Sequence, residues 1–187
     1  MQKIIILPSE SDVLQYFLPS PDFKINIPYL PDDIILSGDW QKEDTLWSRY
    51  MCRRIIPALL FFYNGKILAI KEEKNYRIWF GDPIAQEDIL LYPDSVSLIR
   101  RTIKKERIKQ NTPITFIGYI TARGDRKWDA FLIVYAAKLQ AKQLLKNESF
   151  IEPSLNPNVY VHLDPLSKKL FDIFYETSDL RKQYLSV

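Results

Sequence analysis

The chain has almost none of the soft metal ligands: its 187 residues include one cysteine, Cys52, and one histidine, His162. A single thiol excludes an intramolecular disulfide, and the two residues together cannot build the usual cysteine- or histidine-based zinc centre. Only a hard cation held by carboxylates stays open. A large charge excess is missing too. The 26 basic and 23 acidic residues leave +3, too little to imply nucleic-acid binding by itself, so any electrostatic signal must be local. Long apolar runs are also absent. Ile4 to Leu7 is too short for a signal-peptide core or a membrane span, and no later run approaches about 18 apolar residues. The expectation is a cytoplasmic protein with no membrane contact.

Apolar material is nevertheless ample. At 47% hydrophobic and 13% aromatic the chain can fill the core of one domain, and disorder over most of its length is excluded. Ile4 to Leu7 reads as a short buried strand, with Ser9 or Ser11 placed to cap a brief helix through Phe17. The stretch PSPDFKINIPYLPDD, with four prolines, suits an extended surface path that interrupts any helix. Residues 1–50 are therefore expected to form an N-terminal extension packed on a domain spanning 51–187.

Within that domain, RIIPALLFFY (Arg54 to Tyr63) is rich in strand formers, Asn64-Gly65 supplies a hairpin turn, and KILAIK (Lys66 to Lys71) answers as the second strand. A short strand over Asn75 to Phe80 precedes the break at Gly81-Asp82-Pro83. From Asp94, a predicted N-cap, Val96, Ile99 and Ile103 define a helix with an apolar inner face that ends near Asn111 and Pro113. ITFIGYIT (Ile114 to Thr121) and AFLIVYAAKL (Ala130 to Leu139) pair as a hairpin across the charged turn ARGDRKWD. Ser149 to Pro157 reads as loop, VYVHL (Val159 to Leu163) as strand, and Asp164-Pro165 as the start of a last helix buried through Leu166, Leu170, Ile173 and Phe174.

One stretch stands out chemically. In LIRRTIKKERIKQ, residues 98–110, six of thirteen side chains are Lys or Arg and only Glu106 is acidic. The order of elements around it resembles the Nudix fold, an α/β/α sandwich with a mixed sheet, over roughly Arg53 to Tyr184. Four pieces carry the likeness: RRIIPALLFFYNGKILAIKEE as the opening hairpin, RIWFGDP as the approach to the signature loop, SLIRRTIKKERI as the signature helix, and GYITARGDRKWDAFLIVYAAKL as the following hairpin. VYVHLDPLSKKLFDIF is similar to the closing strand and helix.

The resemblance implies a signature of Gly, five residues, Glu, seven residues, then Arg-Glu-U-x-Glu-Glu-x-Gly-U, with U aliphatic, whose glutamates hold Mg²⁺ or Mn²⁺ against a diphosphate. Gly81 and Glu87 match the first spacing, but twelve residues then precede Arg100 and thirteen precede Arg101. With Arg101 as the signature arginine, Thr102, Lys105 and Glu106 take the glutamate positions, and Ile103 stays on the buried face. With Arg100 in that place the positions fall to Arg101, Lys104 and Lys105. Neither alignment leaves a net-negative oxygen cage, because ammonium groups repel a divalent ion and compete for the remaining carboxylate.

Such a helix is expected to be non-catalytic, with Glu87 and Glu106 as remnants and no metal or other cofactor. Its cations, Arg100, Arg101, Lys104 and Lys105, can bind phosphate directly. Arg123, Arg126 and Lys127 would add to them, with Trp79 and Phe80 as a stacking face for a nucleotide or RNA base. A solvated basic face is the plainer alternative. Glu72, Glu73, Glu87 and Asp88 could assemble an unconventional site for Mg²⁺ or Mn²⁺ with Glu106, giving a divergent diphosphate hydrolase, although ordinary ion pairs with neighbours such as Lys71 and Lys74 are the commoner fate of such residues. A third reading makes the chain an interaction scaffold that binds a protein partner or a second copy of itself. His162 and Cys52 have no local companions that point to catalysis.

Overall fold

The computed structural model describes residues 3–7, 11–13, 24, 30–42, 53–105, 112–122, 130–140, 148–151 and 160–185. Among the described residues, eight strands form one mixed sheet: β1 (Lys3–Leu7), β2 (Asp39–Lys42), β3 (Arg53–Tyr63), β4 (Lys66–Glu72), β5 (Asn75–Arg77), β6 (Ile114–Ala122), β7 (Ala130–Lys138) and β8 (Glu148–Ile151). The helices are α1 (Pro31–Leu36), α2 (Gln86–Leu91), α3 (Ser95–Lys105), α4 (Pro165–Glu176) and α5 (Ser178–Leu180), followed by a π-helical turn over Arg181–Leu185.

The sheet is built on β3 and β7, which run parallel in register from Arg54 opposite Ala130 to Phe62 opposite Lys138. Both strands are apolar at odd and even positions because both faces are covered, as a parallel pair in such a sheet requires. Ile55, Leu59 and Phe61 of β3 join Phe131, Ile133 and Tyr135 of β7 in one core, with Ile34 and Ile35 of α1 and Leu98, Ile99 and Ile103 of α3. Ile56, Ala58, Leu60 and Phe62 join Leu132, Val134 and Ala136 in the other, under Leu166, Leu170, Phe171 and Phe174 of α4. Alternation along two strands therefore sorts the chain into an α/β/α sandwich.

The other edge of β3 is divided. β1 pairs with its start at Arg53 and Arg54, and β4 with its end at Phe62 and Tyr63. Between them the segment after β5 closes the gap: Leu59 and Phe80 exchange backbone hydrogen bonds of 2.8 and 2.9 Å, and the Ile84 carbonyl accepts from Ile5 at 2.9 Å. Pro57 shares the parity of Leu59, so its missing N–H faces this gap and costs no bond to β7. Pro57 thus marks an architectural seam.

Several sequence expectations match. Asn64 and Gly65 both have positive φ, 48° and 72°, as a two-residue hairpin turn between β3 and β4 needs. β6 and β7 form the expected antiparallel hairpin, with an irregularity between Phe116 and Gly118. Asp164 caps α4 by accepting from the N–H groups of Leu166 and Ser167, and Pro165 occupies the first turn.

Within residues 1–50, β1 and β2 are strands of the same sheet. Other expectations are corrected. A helix starts inside the proline-rich stretch, because Pro31 sits in the first turn where an N–H is dispensable. The described part of VYVHL, residues 160–163, is not a strand: Tyr160 and Val161 form a helical turn, Val161 and His162 are exposed, and the sheet is met at Tyr76, which donates to the His162 carbonyl and bridges to Leu163. The loop expected from Ser149 overlaps β8, which pairs with β4 from Ile67 opposite Ile151 to Ile70 opposite Glu148. On α3 the buried stripe is Ser95, Leu98, Ile99, Thr102 and Ile103, and Val96 is exposed. Phe171 of α4 is buried whereas Ile173 is only partly so. Of the expected helix through Phe17, Asp12 and Val13 are described and are helical, and the rest lies outside the described residues, as does the helix end near Asn111.

Candidate functional site

The segment from Gly81 to Lys105 runs from the seam of the sheet through α2 into α3. Gly81 is forced by its surroundings, since a Cβ there would meet the Pro57 carbonyl oxygen at 2.1 Å. Asp88, in the first turn of α2, accepts from the Ala85 N–H at 2.8 Å and closes the start of that helix. Asp94 begins α3: its carboxylate accepts from the Ser97 N–H and hydroxyl, each at 2.8 Å, which holds its pKa below the usual aspartate value. The Ser95 N–H donates to Asp32 at 2.7 Å, so α1 is tied to the same helix end.

Two ion pairs join α3 to the preceding loop. Arg101 is paired with Asp88, and these side chains are only 20% and 13% exposed. Lys105 Nζ lies 2.6 Å from Asp82 Oδ2, and here both side chains are open to solvent, at 62% and 52%. Arg100 and Lys104, one helical turn apart, are exposed, as is Glu87 on α2. Thr102, at the first signature glutamate position of the preferred alignment, is buried. Glu106 and the turn carrying Arg123, Arg126, Lys127 and Trp128 lie outside the described residues, as does Cys52.

The expected stacking face is not presented. Trp79 and Phe80 are 2% and 1% exposed and point into opposite cores, Phe80 against Phe61 and Trp79 among the residues under α4. Adjacent residues of an extended segment alternate faces, so these two rings cannot line one pocket. Arg77 lies 4.9 Å over the Trp79 ring, donates to the Trp79 carbonyl, and forms an ion pair with Glu72 at 2.7 Å. The sequence thus brings Arg100, Arg101, Lys104 and Lys105 together on one helix and leaves Trp79 and Phe80 in the interior.

Sequence reasoning missed the partners of those cations. Asp82 and Asp88 are 23 and 13 residues from Lys105 and Arg101, too far for any helical periodicity to reveal. A second missed feature is the Tyr135 hydroxyl, which is buried at the start of α3. No hydrogen-bond partner for it is found among the described residues. Burial pushes this phenol up to about 12. Phe116 stands edge-on to both Tyr119 and Tyr135, at 5.0 and 5.6 Å.

No protein-family model matches the chain, and no curated protein does. Among solved structures, the chain is similar to the crystal structure of Tm1382, a candidate Nudix hydrolase, with a TM-score of 0.66 over 93% of this chain and 98% of that one, at 13% identity. The fold is Nudix-like. At this identity the likeness extends to the architecture alone, so the chemistry must be read from the Nudix-like helix itself.

The divalent ion that the Nudix resemblance implies does not fit the described residues. Asp82, Asp88 and Glu72 each face a cation, and no group of three or more His, Cys, Asp or Glu among the described residues could hold a metal ion. Among the described residues, no helix is long and apolar enough to cross a membrane.

Proposed function

We propose that this Nudix-like domain is a non-catalytic binding module for a phosphate-bearing ligand, a nucleotide or RNA, which it engages through the cationic face of α3. The carrying observation is the replacement on that helix: one position that the signature fills with glutamate holds the buried Thr102, another holds Lys105, and Arg100 and Lys104 project beside them into solvent. An ammonium or guanidinium group binds a phosphate oxygen directly, with no metal between them. Trp79 and Phe80 are not part of this reading. Arg123, Arg126 and Lys127 extend the same positive surface if their turn reaches it.

The test is equilibrium binding of a nucleoside diphosphate and of a short single-stranded RNA, with turnover followed in parallel in Mg²⁺ and Mn²⁺. Affinity should fall as salt rises, and Arg100→Glu with Lys104→Glu should weaken it at least about tenfold, as expected when two phosphate contacts reverse sign. Metal-dependent turnover abolished by Glu106→Gln would replace the binding module with a divergent hydrolase. A stable dimer or a stoichiometric protein partner, with no anion binding, would favour the scaffold.

A further inference from the structure

The four cations of α3 are not equivalent, and their carboxylate partners make the difference. Arg101 and Asp88 are both largely withdrawn from solvent, and Asp88 also accepts the Ala85 N–H that closes α2. Pulling Arg101 away would leave a poorly hydrated carboxylate without its counter-charge, so this pair does not open readily. Lys105 and Asp82 differ on each point. Both side chains are more than half exposed, and their 2.6 Å contact is one ammonium to one carboxylate oxygen. Water and salt solvate either partner on release, so the pair can exchange.

Asp82 follows Gly81, which lies close against the Pro57 carbonyl of the central strand, so its side chain starts from the seam beside β3 and reaches α3 from there. A carboxylate oxygen held at 2.6 Å from an ammonium stands where a phosphate oxygen would stand.

We propose that Asp82 is a built-in competitor for the anion site: its carboxylate occupies Lys105 in the free protein, and a phosphate-bearing ligand binds by taking its place. The inference rests on the anion-binding reading of α3 and assigns roles within it. Lys105 is the exchangeable contact and Arg101 is retained by Asp88. Asp82 sets the threshold concentration by opposing any anion at this end of the helix, so weakly charged anions are excluded before multiply charged ones.

Inorganic pyrophosphate binding to the full chain tests this, by calorimetry at low salt. Asp82→Asn should raise affinity about two- to fivefold, the range that an exposed ion pair can withhold. Asp179→Asn, which removes the same charge from an exposed residue on α5, should leave affinity near wild type. Adding Lys105→Ala to Asp82→Asn should erase the gain. Equal affinities for wild type and Asp82→Asn, or an equal gain from Asp179→Asn, would overturn the competitor while leaving salt-sensitive binding, and so the module, intact. No binding by wild type or Asp82→Asn would overturn both.

Discussion

A Cβ placed on Gly81 would stand 2.1 Å from the carbonyl oxygen of Pro57. The obstacle is backbone of the central strand, so no side-chain rotation relieves it. Gly81→Ala should therefore destabilise the domain by about 1–3 kcal/mol, the usual cost of overpacking. Urea denaturation measures this, and an unchanged midpoint would show that the seam beside β3 widens freely.

The two ion pairs of α3 should separate cleanly in stability. Arg101→Gln should cost about 1–3 kcal/mol, between the values for exposed and buried pairs, because Asp88 keeps its partly buried charge. Lys105→Gln should cost less than about 0.5 kcal/mol, as a surface pair does. Equal losses in thermal or chemical denaturation would mean that burial does not distinguish them.

Asp94 links the helix start to acid stability. Its folded pKa lies below the ordinary aspartate value because the Ser97 N–H and hydroxyl hydrogen-bond the charged form. The contribution is fully present above about pH 4, the unfolded value, and is lost as pH falls through the lower folded value. Asp94→Ala should cost about 1 kcal/mol at neutral pH. The stability difference between wild type and Asp94→Asn should shrink below about pH 4. A difference that stays constant down to pH 2 would be the contrary result.

Tyr135 should behave in the opposite direction. A buried hydroxyl without a partner contributes little, so Tyr135→Phe should be neutral or stabilising by up to about 1 kcal/mol. The phenol is raised from 10.0 to about 12 by burial, so the unfolded chain ionises first as pH rises. Stability from this group is present below pH 10 and drains away between about pH 10 and 12, and Tyr135→Phe should flatten that part of the profile. A loss of more than about 1 kcal/mol at neutral pH would reveal a hydrogen bond to Tyr135 in solution.

How much the sequence reveals depends on how local the cause is. The β3–β4 hairpin is legible because Asn64-Gly65 is the chemistry of a left-handed two-residue turn, and the start of α4 because Asp164-Pro165 is a cap followed by a tolerated proline. The failures share a reason. VYVHL alternates like a strand, yet Tyr160 donates to Asp172 and the segment meets the sheet at Tyr76 alone, through the His162 carbonyl and Leu163, so alternation had little sheet to face. ESFI carries no strong strand pattern and pairs because β4 leaves an edge for it.

The absence of a cysteine or histidine metal centre, the order of elements that resembles a Nudix fold, and the concentration of Arg100, Arg101, Lys104 and Lys105 on one helix are all written in the linear chain. These follow from composition and short-range periodicity. Which of those cations meet carboxylates, and the divergence of Trp79 and Phe80 into separate cores, come from three-dimensional packing. Asp82 and Asp88 approach α3 through the path of the chain around β3, and the faces of adjacent extended residues are fixed by the sheet they join. Contacts between distant segments are set by packing, which no local pattern encodes.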